Sequence, residues 1–145
     1  MTARASTLLS KLDNGSLSRE GRLEAIVDLL CEFLPIDAVR RDEAIVWIEF
    51  QTAARTDESL AETSRRAAAQ TARMVEVIVE SAQRRGTLAA NIDLVLETAR
   101  LTALIDGLTL RCALHPDMDS ASVARDALTL HLRTLMQQRS GAHAE

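Results

Sequence analysis

Between Leu94 and Leu114 the apolar residues of this chain fall on two opposite faces of a helix. At 3.6 residues per turn, Leu94, Leu101, Ile105, Leu108 and Cys112 line one side. Leu96, Ala99, Ala103, Gly107, Leu110 and Leu114 line the other. A hydroxyl-bearing strip (Thr98, Thr102 and Thr109, near Asp106) and a basic strip (Arg100 and Arg111) run between them. A helix apolar on two sides has to be covered on two sides. In a chain of 145 residues one cover is its own core, and a second subunit is expected to supply the other. Ala99, Ala103 and Gly107 are small enough for a partner helix to come close. A glycine inside a helix costs roughly 1 kcal/mol relative to alanine, so close packing is the expected reason for Gly107.

The rest of the chain is helical in its chemistry. Apolar residues make up 47%, enough for a core, yet the aromatics are only Phe33, Trp47 and Phe50. Two prolines and five scattered glycines leave little punctuation for hairpins, and Ala, Leu, Glu, Arg and Gln are helix formers. An all-α fold of about six helices follows, as one domain over 1–138 with a disordered polar tail over 139–145. Acidic and basic residues are interleaved at a net charge of −4, so no face is built to hold phosphates. Arg40-Arg41, Arg65-Arg66 and Arg84-Arg85 read as solvated helix faces. Cys31 and Cys112 lie far apart in apolar patterns and read as buried thiols of a reducing compartment. With no apolar run approaching a membrane span and no cationic-then-apolar leader, a cytoplasmic protein with no membrane partner is expected.

Cap chemistry divides the chain. Ala5, Leu8, Leu9 and Leu12 make a short stripe that starts almost at Met1 and ends at Asp13-Asn14-Gly15. Ser18 is placed to cap a helix that ends at Pro35, with Leu23, Ile26, Val27, Leu30, Phe33 and Leu34 inward. Asp37 caps the next, expected to run through Thr56. That helix carries apolar residues over much of its circumference (Ala44, Ile45, Trp47, Ile48, Phe50 and Ala54), so it is expected to be central and mostly buried. Asp57 caps a long helix to Arg84-Arg85 before Gly86, with Leu60, Ala67, Thr71, Met74, Ile78 and Ala82 inward. Asp93 caps the double-faced helix, which His115-Pro116 stops. Asp119 or Ser120 opens the last one, whose Val123, Ala124, Ala127, Leu128, Leu130, His131, Leu132 and Leu135 cover half the circumference, too wide for one neighbour.

Three stretches, in order and spacing, resemble the C-terminal regulatory domain of TetR-family transcriptional regulators of the BetI-like branch. They are Leu34-Pro35-Ile36-Asp37 leading through Arg41-x-Glu43-Ala44-x-Val46-Trp47 to Phe50; Thr56-Asp57-x-x-Leu60-Ala61; and Leu101-x-Ala103-Leu104-Ile105-Asp106-Gly107-Leu108 followed by Pro116. The resemblance implies an antiparallel helical bundle and a homodimer joined as a four-helix bundle by the last two long helices. It also implies a ligand cavity among the middle helices, and operator DNA bound only through an N-terminal helix-turn-helix, which this chain lacks. Two local departures stand out: Ala89-Ala90-Asn91-Ile92-Asp93, where relatives often carry a proline, and small Ala and Thr residues on the long helix, where many carry an aromatic.

No catalytic constellation is present: there is no G-x-S-x-G, phosphate-cradling glycine loop or H-E-x-x-H. No cofactor is implied. His115, His131 and His143 are scattered, and Asp117-Met118-Asp119 resembles a calcium loop without its glycine or terminal glutamate, so no metal site is expected. Gln51 falls within an apolar arc, which admits two readings: a structural hydrogen bond to a neighbouring helix, or a polar anchor in a greasy pocket. Under the second reading the expected pocket is Trp47, Phe50, Gln51, Met74 and Ile78, with Leu101 and Ile105 of the double-faced helix. Asp106 is half-buried between the two faces and needs a donor, with a bond across helices favoured over a ligand contact.

The expected dimer interface is Ala103, Gly107, Leu110, Arg111 and Leu114 with Leu128, His131, Leu132 and Leu135. His131, if buried there, would loosen the pair when charged at low pH. The expected function is the effector-binding and dimerisation domain of a transcriptional repressor, released from its operator by a small apolar or amphipathic molecule. Its rivals are a helical protein–protein interaction module without ligand sensing, and a small helical enzyme, disfavoured for want of an acid–base pair or nucleophile.

Overall fold

The computed structural model describes residues 17–116 and 120–137. They form five helices: α1 (Arg19–Cys31), α2 (Ala38–Ala53), α3 (Glu58–Arg84), α4 (Leu94–Leu114) and α5 (Ser120–Gln137). The stripe over 5–12, the acidic run 117–119 and the tail after 138 lie outside the described residues.

The four capping side chains read in the sequence do their work. Ser18 Oγ accepts from Gly21 N, Asp37 Oδ1 from Arg40 N, Asp57 Oδ1 from Ser59 N and Asp93 Oδ1 from Leu96 N, each at 2.8–3.0 Å. Each satisfies one of the orphan amides of a helix start. α3 ends in a left-handed Gly86 (φ +68°), with Thr87 N donating to Ala82 O and Gly86 N to Gln83 O. A side chain at that φ is strained, which is why glycine closes the helix here.

α4 packs against α2, α3 and α5, and α1 against α3 and α5. Cross-contacts fix the directions. Glu20 meets Arg133, and Asp28 meets Arg125 at 2.7 Å, so α1 and α5 run antiparallel. Ala89 N donates to Leu135 O, which sets the start of α4 beside the end of α5. The core is aliphatic: Leu23, Leu30 and Leu34, Val75 and Val79, Leu101, and Leu128, Leu132 and Leu135 are sealed from solvent. Each such leucine contributes about 1.5–3 kcal/mol relative to leaving it exposed. Arg19 and Arg22 close the bundle end, donating to Thr87 O at 3.1 Å and Thr87 Oγ1 at 2.9 Å. Both cysteines are buried thiols.

Two expectations change here. α2 is not central: none of its residues is buried, Val46 is 69% exposed, and the helix stops at Ala53 rather than Thr56. Among the described helices it has α3 and α4 beside it, and α4 takes the middle position instead. Leu128, Leu132 and Leu135, expected at a subunit interface, belong to the chain's own core. α5 docks on α1 with that side, and its outward side carries Val123 and Leu130, the latter 68% exposed. The double-faced reading of α4 matches the burial pattern. Leu101, Ile105, Leu108 and Cys112 are buried, whereas Leu96, Ala99, Ala103, Gly107, Leu110 and Leu114 are exposed.

Candidate functional site

An open cleft of about 470 Å³ lies between α2, α3 and α4. That is within the range of small-molecule sites. α2 gives it Trp47, Ile48, Gln51 and Thr52, the i, i+1, i+4, i+5 positions of one helical face. α4 gives Thr102, Ile105, Asp106, Thr109 and Leu110. α3 gives only Ala68 and Thr71, and it is this lack of bulk that leaves the space. Phe33 and Arg55 line the cleft from beyond the ends of α1 and α2. Trp47 stacks on Phe50 with ring centroids 5.4 Å apart.

Most polar groups in the cleft already have partners. Thr52, Thr71 and Thr102 donate their hydroxyl protons to the carbonyls of Ile48, Ala67 and Thr98, one turn back on their own helices. Gln51 Oε1 accepts from Ser64 Oγ of α3, which is the structural bond of the first reading. Its Nε2 has no acceptor among the described residues, so the same amide keeps two donors for the cleft. Asp106 was expected to bond across helices and does not: its carboxylate has no hydrogen bond or ion pair among the described residues. Burial alone acts on it and raises its pKa above the ordinary carboxylate value.

Of the residues expected in a pocket, Trp47, Gln51 and Ile105 line this cleft. Phe50 supports Trp47 from behind, Met74 is half-buried away from the lining, and Ile78 and Leu101 belong to the core. Phe33, Thr52, Arg55, Thr71, Thr102 and Thr109 were not anticipated there. The hydroxyl strip of Thr98, Thr102 and Thr109 was visible in the sequence and was the signal that could have placed α4 in the wall.

His131 lies inside the chain rather than on its outer face, with a side chain 13% exposed in the α4–α5 seam. Glu97, buried beside it, accepts from Arg100 Nη1 at 2.7 Å through Oε1. Burial pushes the His131 imidazole below its usual pKa; Glu97 pulls it up and Arg100 down. A smaller cleft of about 340 Å³ is lined by Pro35, Ile36, Arg41, Cys112, Pro116, Ala121 and Ser122, beside the undescribed 117–119. Among the described residues no group of three or more His, Cys, Asp and Glu is placed to hold a metal, and no helix is long and apolar enough to cross a membrane.

Residues 20–137 match the family model described as BetI-type transcriptional repressor, C-terminal. The fold is similar to that in the crystal structure of a TetR transcription regulator from Haloarcula marismortui ATCC 43049, with a TM-score of 0.66 at 20% identity. The likeness covers 92% of this chain and 75% of that one. No curated protein matches the chain.

Proposed function

The chain belongs to the family of C-terminal domains of BetI-type transcriptional repressors, and we propose that it is the effector-sensing and dimerising part of a TetR-like repressor. The observation that carries this reading is the double duty of α4. One side of the helix walls a cleft that holds the solvent-exposed carboxylate of Asp106, with no hydrogen-bond or ion-pair partner among the described residues, and another side presents a bare apolar stripe.

The effector is a small molecule with an apolar body, which packs on Trp47, Ile48 and Ile105. One polar end donates to Asp106 and accepts from Gln51 Nε2. Such a molecule exchanges the water around the exposed Asp106 carboxylate for a fixed donor, so that bond sets orientation while burial of the apolar body supplies most of the affinity.

The partner is a second copy. Ala99, Ala103 and Gly107 are small exposed residues in a row on α4, and Val123 and Leu130 are large exposed apolar residues on α5. One chain therefore carries both halves of a self-complementary, two-fold contact. Arg111 and Asp126 flank those stripes, exposed and without an ion pair among the described residues, and a second copy can pair them reciprocally. A cytoplasmic protein fits this work. Operator DNA is contacted through a helix-turn-helix outside this chain, and effector binding favours one arrangement of α2 against α4 and so one spacing of the DNA-binding heads.

The test is a thermal-shift screen of small amphipathic molecules on the wild-type chain and Asp106→Asn, with sedimentation alongside. The reading expects a dimer and at least one hit that Asp106→Asn weakens. A monomer at all concentrations, or hits indifferent to Trp47 and Asp106 substitutions, overturns it.

A further inference from the structure

Leu110 is a member of two surfaces at once. It lines the cleft together with Thr102, Asp106 and Thr109, and it is 46% exposed on the stripe that runs through Ala103, Gly107 and Leu114. Around the helix, Asp106 and Leu110 fall between Thr102, Ile105 and Thr109 of the cleft and Ala103, Gly107 and Leu114 of the stripe, so the two surfaces meet at these two residues. The cleft is an open groove, and its α4 lip is therefore also the edge of the apolar stripe.

We propose that the second copy completes the effector cleft: seated on the α4 stripe, it covers the open lip at Asp106 and Leu110, so that a bound molecule is enclosed by both subunits. This rests on the homodimer reading above. The occupant of the lip is a second copy because the same chain exposes large apolar side chains, Val123 and Leu130 on α5, and a row of small residues, Ala99, Ala103 and Gly107 on α4, with the opposite charges of Asp126 and Arg111 beside them. Gly107 adds to this. A Cβ there would meet nothing within 4 Å among the described residues, so their packing does not ask for a glycine.

Two consequences follow. Enclosure removes water from around Asp106, which makes its hydrogen bond to an effector stronger than in an open groove. Effector binding and dimerisation also become linked: whatever the cleft prefers in the dimer tightens the dimer by the same factor.

Trp47 is the only tryptophan of the chain and lines the cleft, so its fluorescence reads closure without any effector. The experiment is acrylamide quenching of Trp47 across a dilution series, with sedimentation velocity at each concentration. Leu130→Glu and Ala103→Glu, both at exposed positions outside the cleft lining, give two independent routes to a monomer. Circular dichroism checks that each variant is folded. The expected result is a quenching constant that drops as the wild-type chain dimerises, with emission shifted to shorter wavelength, and stays high in both variants. A dimer whose Trp47 is quenched as readily as the monomer overturns the shared cleft and leaves the dimer standing. A wild-type chain that never dimerises overturns both.

Discussion

His131 Nε2 stands 3.6 Å from Glu97 Oε2 in the seam between α4 and α5, and neither atom has a hydrogen-bond partner. The imidazole is held neutral by burial, with a folded pKa below its ordinary value of 6.5. An unfolded chain therefore binds more protons than a folded one between those two values. Stability is fully present above pH 6.5 and is lost as pH falls toward the folded pKa. Urea titrations from pH 7.5 to 5 should show that fall in the wild type, and a flatter profile in His131→Gln. The effect acts on the fold of each chain rather than at the subunit contact, where the sequence had suggested it. A pH-flat profile in the wild type contradicts the assignment.

Gly107→Ala should act in opposite directions on the chain and on the dimer. No side chain of the described residues approaches the position, so alanine fits and gains about 1 kcal/mol of helix propensity. Against a closely packed partner helix the added methyl overpacks, at a cost of about 1–3 kcal/mol, or roughly 5- to 150-fold in dimer dissociation. Urea melts under dissociating conditions and sedimentation equilibrium read the two terms separately.

Leu130 and Leu132 are neighbours in sequence with opposite roles. Leu132 is 0% exposed, and Leu132→Ala should destabilise the fold by about 2–5 kcal/mol. Leu130→Ala should leave the fold within about 0.5 kcal/mol of wild type while weakening the dimer. Chemical denaturation and light scattering on both variants check the contrast.

Asp106→Asn should stabilise the empty protein at neutral pH and impair effector binding. Its folded pKa is raised, so the carboxylate favours the fold at low pH and opposes it once ionised. The amide keeps the shape without the charge. A higher melting temperature at pH 7 together with a smaller effector-induced shift is the expected pair of results.

The elements legible in the sequence were those set by local chemistry. Ser18, Asp37, Asp57 and Asp93 announce helix starts because a cap bonds an amide two or three residues on. The two faces of α4 were legible because helical periodicity is a property of the segment alone. Which part of a wide apolar arc turns inward is not. α5 spreads Leu128, Leu130 and Leu132 over half its surface, and only docking on α1 and α4 decides that Leu128 and Leu132 are core and Leu130 is not. α2 failed in the same way, since an apolar circumference says nothing of how many neighbours surround it. The cleft was half legible. Trp47 and Gln51 stood out as residues, but space left by Ala68 and Thr71 is an absence of bulk, which no periodic pattern records.

Sedimentation equilibrium of the wild-type chain beside Leu130→Glu tests the central claim most directly. A two-fold association in the wild type, abolished by the substitution with the helical spectrum intact, is the predicted result. A wild-type chain that stays single at every concentration, with Gly107 and Leu130 facing water, contradicts the account.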